Sequence, residues 1–196
     1  MNLVPTTDDS IRRHRRGYLP HLDSPELIQF VTFRLADSLP TTIFESLKLK
    51  LEAKHITEIE YHRQIEKALD LGNGPIFLKG RRIAQLVAET LVKFDSEKYD
   101  LFSWVIMPNH GHILLKSRAP FSLSQVMHSI KGFTASEAYK ILQRKGRFWS
   151  PDYFDRFIRD RVHLARVEKY IDENPVKAGL CRTPEEWPWS SAGWKG

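Results

Sequence analysis

The chain has 196 residues, a length for one domain at roughly 150 residues each. With 41% hydrophobic, 11% aromatic and 28% charged residues, the composition excludes a disordered tail, a collagen-like repeat and a disulfide scaffold. No run approaches the ~20 apolar residues of a membrane span, the opening Met1-Asn2-Leu3-Val4-Pro5 has no apolar signal core, and the single cysteine, Cys181, excludes a four-thiolate zinc site, all of which predicts a cytoplasmic protein without membrane contact. Thirty Lys and Arg against 24 Asp and Glu leave a net charge of +6, which favours a polyanionic partner.

Taken in chain order, residues 1–26 are polar and basic and read as an arm. Ile28 to Leu35, rich in β-branched and aromatic residues, reads as the first strand, ending in a turn at Asp37-Ser38-Leu39-Pro40. The segment 41–75 reads as an inserted helical hairpin or lid, helical from Thr41 to Leu71 and stopped by Gly72-Asn73-Gly74-Pro75; it concentrates acidic residues between Glu52 and Asp70. Arg81 to Phe94 carries the apolar stripe of an amphipathic helix. Leu101–Met107 and Gly111–Lys116 then read as an antiparallel strand pair, and a second helix runs from Ser122 or Ser124 to about Arg144. Phe148-Trp149 and Tyr153–Ile158 read as edge-strand material around a turn at Pro151-Asp152. The last helix is predicted from Asp160 to Glu173, because Pro175 disfavours helix at the residue before it. The tail, 182–196, is expected to lie on the surface. The order strand, helix, strand, strand, helix, strand predicts an α+β fold, the ferredoxin-like split β-α-β arrangement on one central antiparallel sheet.

Two segments could carry chemistry. In Pro108-Asn109-His110-Gly111-His112, the alternation of a strand points His110 and His112 the same way and can offer two imidazoles to one divalent cation. The pair is equally compatible with a structural or surface role. On the last helix Tyr170 and Asn174 are four residues apart and share a face, a phenol beside an amide oxygen; packing of the phenol and capping by the amide account for them as well. Tyr153, in the aromatic run Tyr153, Phe154, Phe157, is a rival nucleophile. Basic clusters at Arg12, Arg13, Arg15 and Arg16 beside Tyr18, at Lys79, Arg81 and Arg82, at Arg144 and Arg147, and at Arg156 suit a nucleic-acid backbone with aromatic stacking, or simply a solvated surface.

Together, RRGYLPH with FVTFRLADSLP, MPNHGHILL, RFWSPDYFDRFIRD, YIDENPVKAGL and EEWPWSSA resemble the single-tyrosine HUH transposases, and within them the REP-associated tyrosine transposases. The one departure is Gly111, where the family pattern has a bulky hydrophobic residue between the histidines; this questions packing behind the strand rather than ligation. The resemblance implies metal ligation by His110, His112 and Asn174, with Mg²⁺ or Mn²⁺, and Tyr170 as nucleophile. It further implies cleavage and strand transfer of single-stranded or hairpin-forming DNA through a 5′-phosphotyrosine, by a monomer or a homodimer. Competing expectations are a catalytically idle hairpin-binding protein and a histidine-metal nuclease that uses water.

Overall fold

A computed structural model describes residues 12–16, 19–23, 27–72 and 74–195. The strand read from Ile28 to Leu35 forms as β3 (Ile28–Leu35), preceded by a two-strand antiparallel hairpin of β1 (Arg12–Arg16) and β2 (Leu19–Asp23). Within the basic arm, residues 12–16 and 19–23 pair their backbones as a ribbon, whereas Tyr18 falls outside the described residues. The insertion is two helices, α1 (Thr41–Glu52) and α2 (Glu58–Asp70). Thr57 starts α2 by a reciprocal capping box with Glu60. The amphipathic stripe becomes α3 (Arg81–Lys93), and the strand pair becomes β4 (Tyr99–Ile106) and β5 (His110–Ser117). Then follow α4 (Leu123–Leu142), β6 (Trp149–Phe157) and α5 (Arg161–Lys177), whose N-cap Asp160 accepts from His163 N at 2.8 Å.

Strands β4-β5-β3-β6 form one antiparallel sheet, the strand order of the ferredoxin-like arrangement. One face carries Val31, Phe33, Leu35, Ile106, Ile113 and Leu115 and is covered by the apolar stripes of α3 and α4. The other carries Phe30, Val105 and Leu114 and receives Val167 and Ile171 of α5. Beside α5 on that second face lies α2, whose His62 stacks on Phe154 at 3.4 Å. Between α2 and α5, over β5, lies a buried notch that holds His110 and His112.

Three expectations are corrected. Pro151-Asp152 is not a turn: β6 is continuous, and residues 150–152 bulge opposite Arg34, where the β3–β6 register shifts. Pro175 does not end the last helix, which runs to Lys177 and closes at Gly179 with φ of 70°. So near the end of the helix, its missing N–H leaves only the Ile171 carbonyl without a helical donor, and Asn174 and Pro175 are both buried. The tail is not simply laid on the surface. It docks along the outer edge of β4: Ile106 N donates to Trp189 O at 2.7 Å, Ser191 N to Trp104 O at 2.8 Å, and the Trp187 indole to Ile106 O at 3.0 Å. An edge that would otherwise offer unpaired backbone groups is thereby closed.

Candidate active site

The register of β3 and β5 pairs Thr32 with His112 and Arg34 with His110, so all four side chains stand on the face that α2 and α5 share. His110 and His112 are buried, at 1% and 0% exposure. Each ring has one nitrogen committed. Asn109 donates its Nδ2 to Leu69 O at 3.0 Å, leaving its Oδ1 to accept from His110 Nδ1 at 2.6 Å. His112 Nδ1 lies 2.9 Å from Thr32 Oγ1. The Thr32 hydroxyl in turn lies within reach of the Glu66 carboxyl, so it can donate to Glu66 while its oxygen accepts from the imidazole. With the rings held in that way both Nε2 atoms are free of protons, and the two face each other at 3.2 Å. Two lone pairs so placed repel unless a cation lies between them, and the partners that fix both tautomers form the supporting shell usual for ligating histidines. Burial pushes His110 down to about 3 and His112 well below the usual imidazole value, which keeps both neutral and able to ligate.

From α5 the Tyr170 ring comes to 5.4 Å from the His112 ring at 63°, and 6.0 Å from Phe30. Asn174, one turn later, hydrogen-bonds the phenol, yet its Oδ1 is buried without a partner. Such an orphaned acceptor costs free energy unless a ligand satisfies it. Among the described residues no three His, Cys, Asp or Glu side chains gather as a metal cluster; two imidazoles and one amide oxygen are what this notch offers. Those residues fit a hard divalent cation.

Two carboxylates that sequence reasoning left in a lid complete the notch. Glu66 reaches the hydroxyls of Thr32 and Tyr170, and burial raises it to about 7 against the pull of Arg156. Asp70 Oδ1 lies 3.7 Å from His110 Nε2. Because that imidazole is neutral, the approach is polar rather than an ion pair; burial raises Asp70 to about 6, with Lys177 opposing. Burial and the charges of Glu66 and Asp70 hold the Tyr170 phenol above its usual value. The signal available in the sequence was the spacing of Glu66 and Asp70, one helical turn apart like Tyr170 and Asn174.

The other sequence-derived residues are dispersed. Tyr153 pairs with Phe33 and joins the opposite face of the sheet, so the rival tyrosine does not meet the histidines. Arg156 lies over Phe30 at 5.3 Å and close enough to Glu66, Tyr170, Arg159 and Arg166 to feel their charges. Arg144 sits 4.7 Å over Phe77, in the turn just before Lys79, which brings two basic clusters near one another away from the notch. Lys79, Arg81, Arg82 and Arg147 are exposed. Arg12, Arg13, Arg15 and Arg16 make up β1. A cavity of about 650 Å³ between α4 and β6, beside Lys131 and Tyr153, contains none of the notch residues. No helix among the described residues is long and apolar enough to cross a membrane.

Comparison with known proteins places these features in a family. Residues 78–174 match the model of the IS200-like transposases, a segment that contains both histidines, Tyr170 and Asn174. A REP-associated tyrosine transposase of Escherichia coli (strain K12) is 26% identical over 111 residues, which make up 55% of this chain and 63% of that protein; the match thus spans less than two thirds of the relative. The structure of a REP-associated tyrosine transposase bound to a REP hairpin superposes with a TM-score of 0.55 at 18% identity, covering 91% of this chain and 81% of that one, and so shares its fold. With the histidine strand and the tyrosine helix both inside the matched segment, the chain belongs to the IS200-like transposases.

Proposed function

We propose that the chain cleaves and rejoins single-stranded DNA next to a hairpin, through a covalent link between Tyr170 and a 5′ phosphate. The observation that carries this reading is the pair of opposed Nε2 atoms at 3.2 Å, beside the unpartnered Asn174 oxygen on the helix that presents Tyr170. His110, His112 and Asn174 would hold Mg²⁺ or Mn²⁺, whose charge, when bound, neutralises and orients a non-bridging oxygen of the scissile phosphate. Arg156, backed by Arg159 and Arg166, supplies further positive charge for the same anion. Glu66 is placed to take the proton of the Tyr170 hydroxyl, and a carboxyl near neutrality suits that task. The Tyr170 oxygen forms the new bond to phosphorus as the bond to the 3′ oxygen of the preceding nucleotide breaks, and that oxygen leaves as a 3′ hydroxyl after taking up a proton. The link keeps the phosphodiester energy available for rejoining. Hairpin DNA as substrate is supported by the related structure, whose protein is bound to a REP hairpin. Tyr170 lies beside the histidines of its own chain, an arrangement that works in a monomer or in each subunit of a dimer.

The test uses hairpin oligonucleotides labelled at either end, with and without Mn²⁺, resolved on a denaturing gel. Wild type is expected to form a covalent adduct, and Tyr153→Phe to form it too. Tyr170→Phe is expected to fold and bind but form none, since it removes one oxygen and little volume. An adduct in Tyr170→Phe that vanishes in Tyr153→Phe would overturn the assignment. Cut strands with no adduct in wild type would favour the water-using nuclease, and binding alone the idle protein.

A further inference from the structure

Next to the notch, under the α1–α2 insertion, lies a second cavity of about 250 Å³. It shares two walls with the catalytic histidines: Thr32, which holds His112, and Leu69, whose carbonyl holds Asn109 and through it His110. Much of its remaining lining is aromatic or charged, with Phe44, Tyr61, His62 and Phe154 around Arg34 and Asp152. The β6 bulge that replaced the expected turn is what brings Asp152 here, opposite Arg34. His62 is held neutral by burial, at about 3, and lies flat on Phe154, so two stacked rings form one side.

Arg34 is the group the fold leaves unanswered. It is half-buried, the Phe44 ring lies 5.5 Å from its guanidinium, and it makes no hydrogen bond or ion pair with any other described residue. Tyr61, Asp152 and Asp37 favour its charge from nearby, none of them closing to hydrogen-bond or ion-pair distance. A desolvated donor fork facing an acceptor carboxylate across an aromatic slot has hydrogen-bonding capacity that the protein alone leaves unused. What complements it is a flat ring that carries acceptors on one edge and N–H donors on another. Guanine has both: N7 and O6 for an arginine fork, and N1–H and N2–H for a carboxylate. Aromatic walls suit an unstacked base of a single strand.

We propose that this cavity binds one unpaired guanine of the DNA strand whose phosphate enters the notch, with Arg34 and Asp152 reading its edges and Phe44 and Tyr61 its faces. The insertion then serves as a base reader that fixes which phosphate lies at Tyr170. The placement rests on the strand-transferase reading; guanine recognition is measured by binding alone, so the two can fail separately.

The experiment measures fluorescence anisotropy of the full chain with a labelled twelve-thymidine oligonucleotide and with the same oligonucleotide carrying one central guanine. The expected result is about tenfold tighter binding of the guanine probe, collapsing below twofold in Arg34→Met and in Phe44→Ala while affinity for the all-thymidine probe holds. Asp152→Asn, the mildest change, is expected to reduce the preference and keep the wild-type melting transition, which guards against a folding defect in the other two. Equal binding of the two probes by wild type, or a preference that survives all three substitutions, overturns the proposal. Loss of the covalent adduct assay in wild type, with the guanine preference intact, counts against the transferase reading and leaves the pocket standing.

Discussion

At the residue scale, the notch is decided by proton placement. His110, His112 and Asn174 matter because their neighbours determine which atoms remain free: Asn109 and Thr32 fix the rings, and Glu66 fixes Thr32. That His110 shares a face with His112, and Tyr170 with Asn174, was legible from the sequence, since two-residue and four-residue spacings put side chains on one face. Glu66, Thr32 and Asn109 were not, because nothing local says which strand or helix will lie across the site. Glu66 also has a consequence for stability. A buried histidine held at about 3, as His62 and His110 are, stays unprotonated where an unfolded one, near 6.5, takes a proton. Each therefore contributes stability that is lost as pH falls from about 6.5, by at most about 1.4 kcal/mol per pH unit. Glu66 has the opposite sign. Raised from 4.5 to about 7, it keeps a proton in the folded chain that the unfolded chain has released, so its contribution is lost as pH rises through that window. In Glu66→Gln without metal, stability between pH 5 and 6.5 is expected to rise more steeply with pH than in wild type, by up to about 1.4 kcal/mol per unit. Denaturant unfolding at several pH values measures it, and parallel curves would show that Glu66 holds no such proton.

At the scale of elements, β5 accounts for the departure from the usual histidine motif. A Cβ at Gly111 would meet Phe33 Cζ at 2.6 Å, Phe33 Cε1 at 2.9 Å and Ile106 Cδ1 at 3.3 Å. The ring of Phe33, packed edge-on against Trp149 at 5.0 Å, fills the space that a bulky residue between the histidines would occupy. The packing behind the strand is therefore complete, supplied from β3 rather than from β5. Gly111→Val is expected to destabilise the fold by about 1–3 kcal/mol, the range for overpacking a filled core. Combining it with Phe33→Leu should recover much of that loss, a non-additivity expected of residues in contact. Additive losses in denaturant unfolding would mean the two do not share this volume. The strand and helix periodicities of these elements were readable, and their ends less so. Asn174 stays in the helix despite Pro175 because the chain buries both, and no local preference reports burial.

Across the whole molecule, the notch and most of the basic clusters are built from different elements. The acidic stretch of the insertion turns Glu66 and Asp70 toward the histidines, with Arg156 beside Glu66, whereas the other basic clusters belong to β1, the start of α3 and the loop after α4. The fold class followed from the order of elements alone. What the order could not show is that α2 would pack beside α5, or that the tail would seal β4, because both depend on contacts between segments distant in the chain. A separation of surfaces has a measurable consequence. Phosphate contacts release counterions, so each one lost from a single strand flattens the logarithmic salt dependence of binding by roughly 0.7, without touching the bond-making groups. Replacing Arg12, Arg13, Arg15 and Arg16 together with Gln keeps the backbone pairing of β1 with β2 and removes only charge. The expected outcome is weaker binding of hairpin DNA at every sequence, a shallower salt slope, and an unchanged rate of adduct formation once DNA is saturating. Glu66→Gln should do the reverse, slowing the adduct step at an unaltered slope. If the arginine variant kept the wild-type slope, the hairpin of β1 and β2 would not touch the phosphates; if its saturated rate fell as well, the basic ribbon would belong to the catalytic notch and the division of surfaces would be wrong.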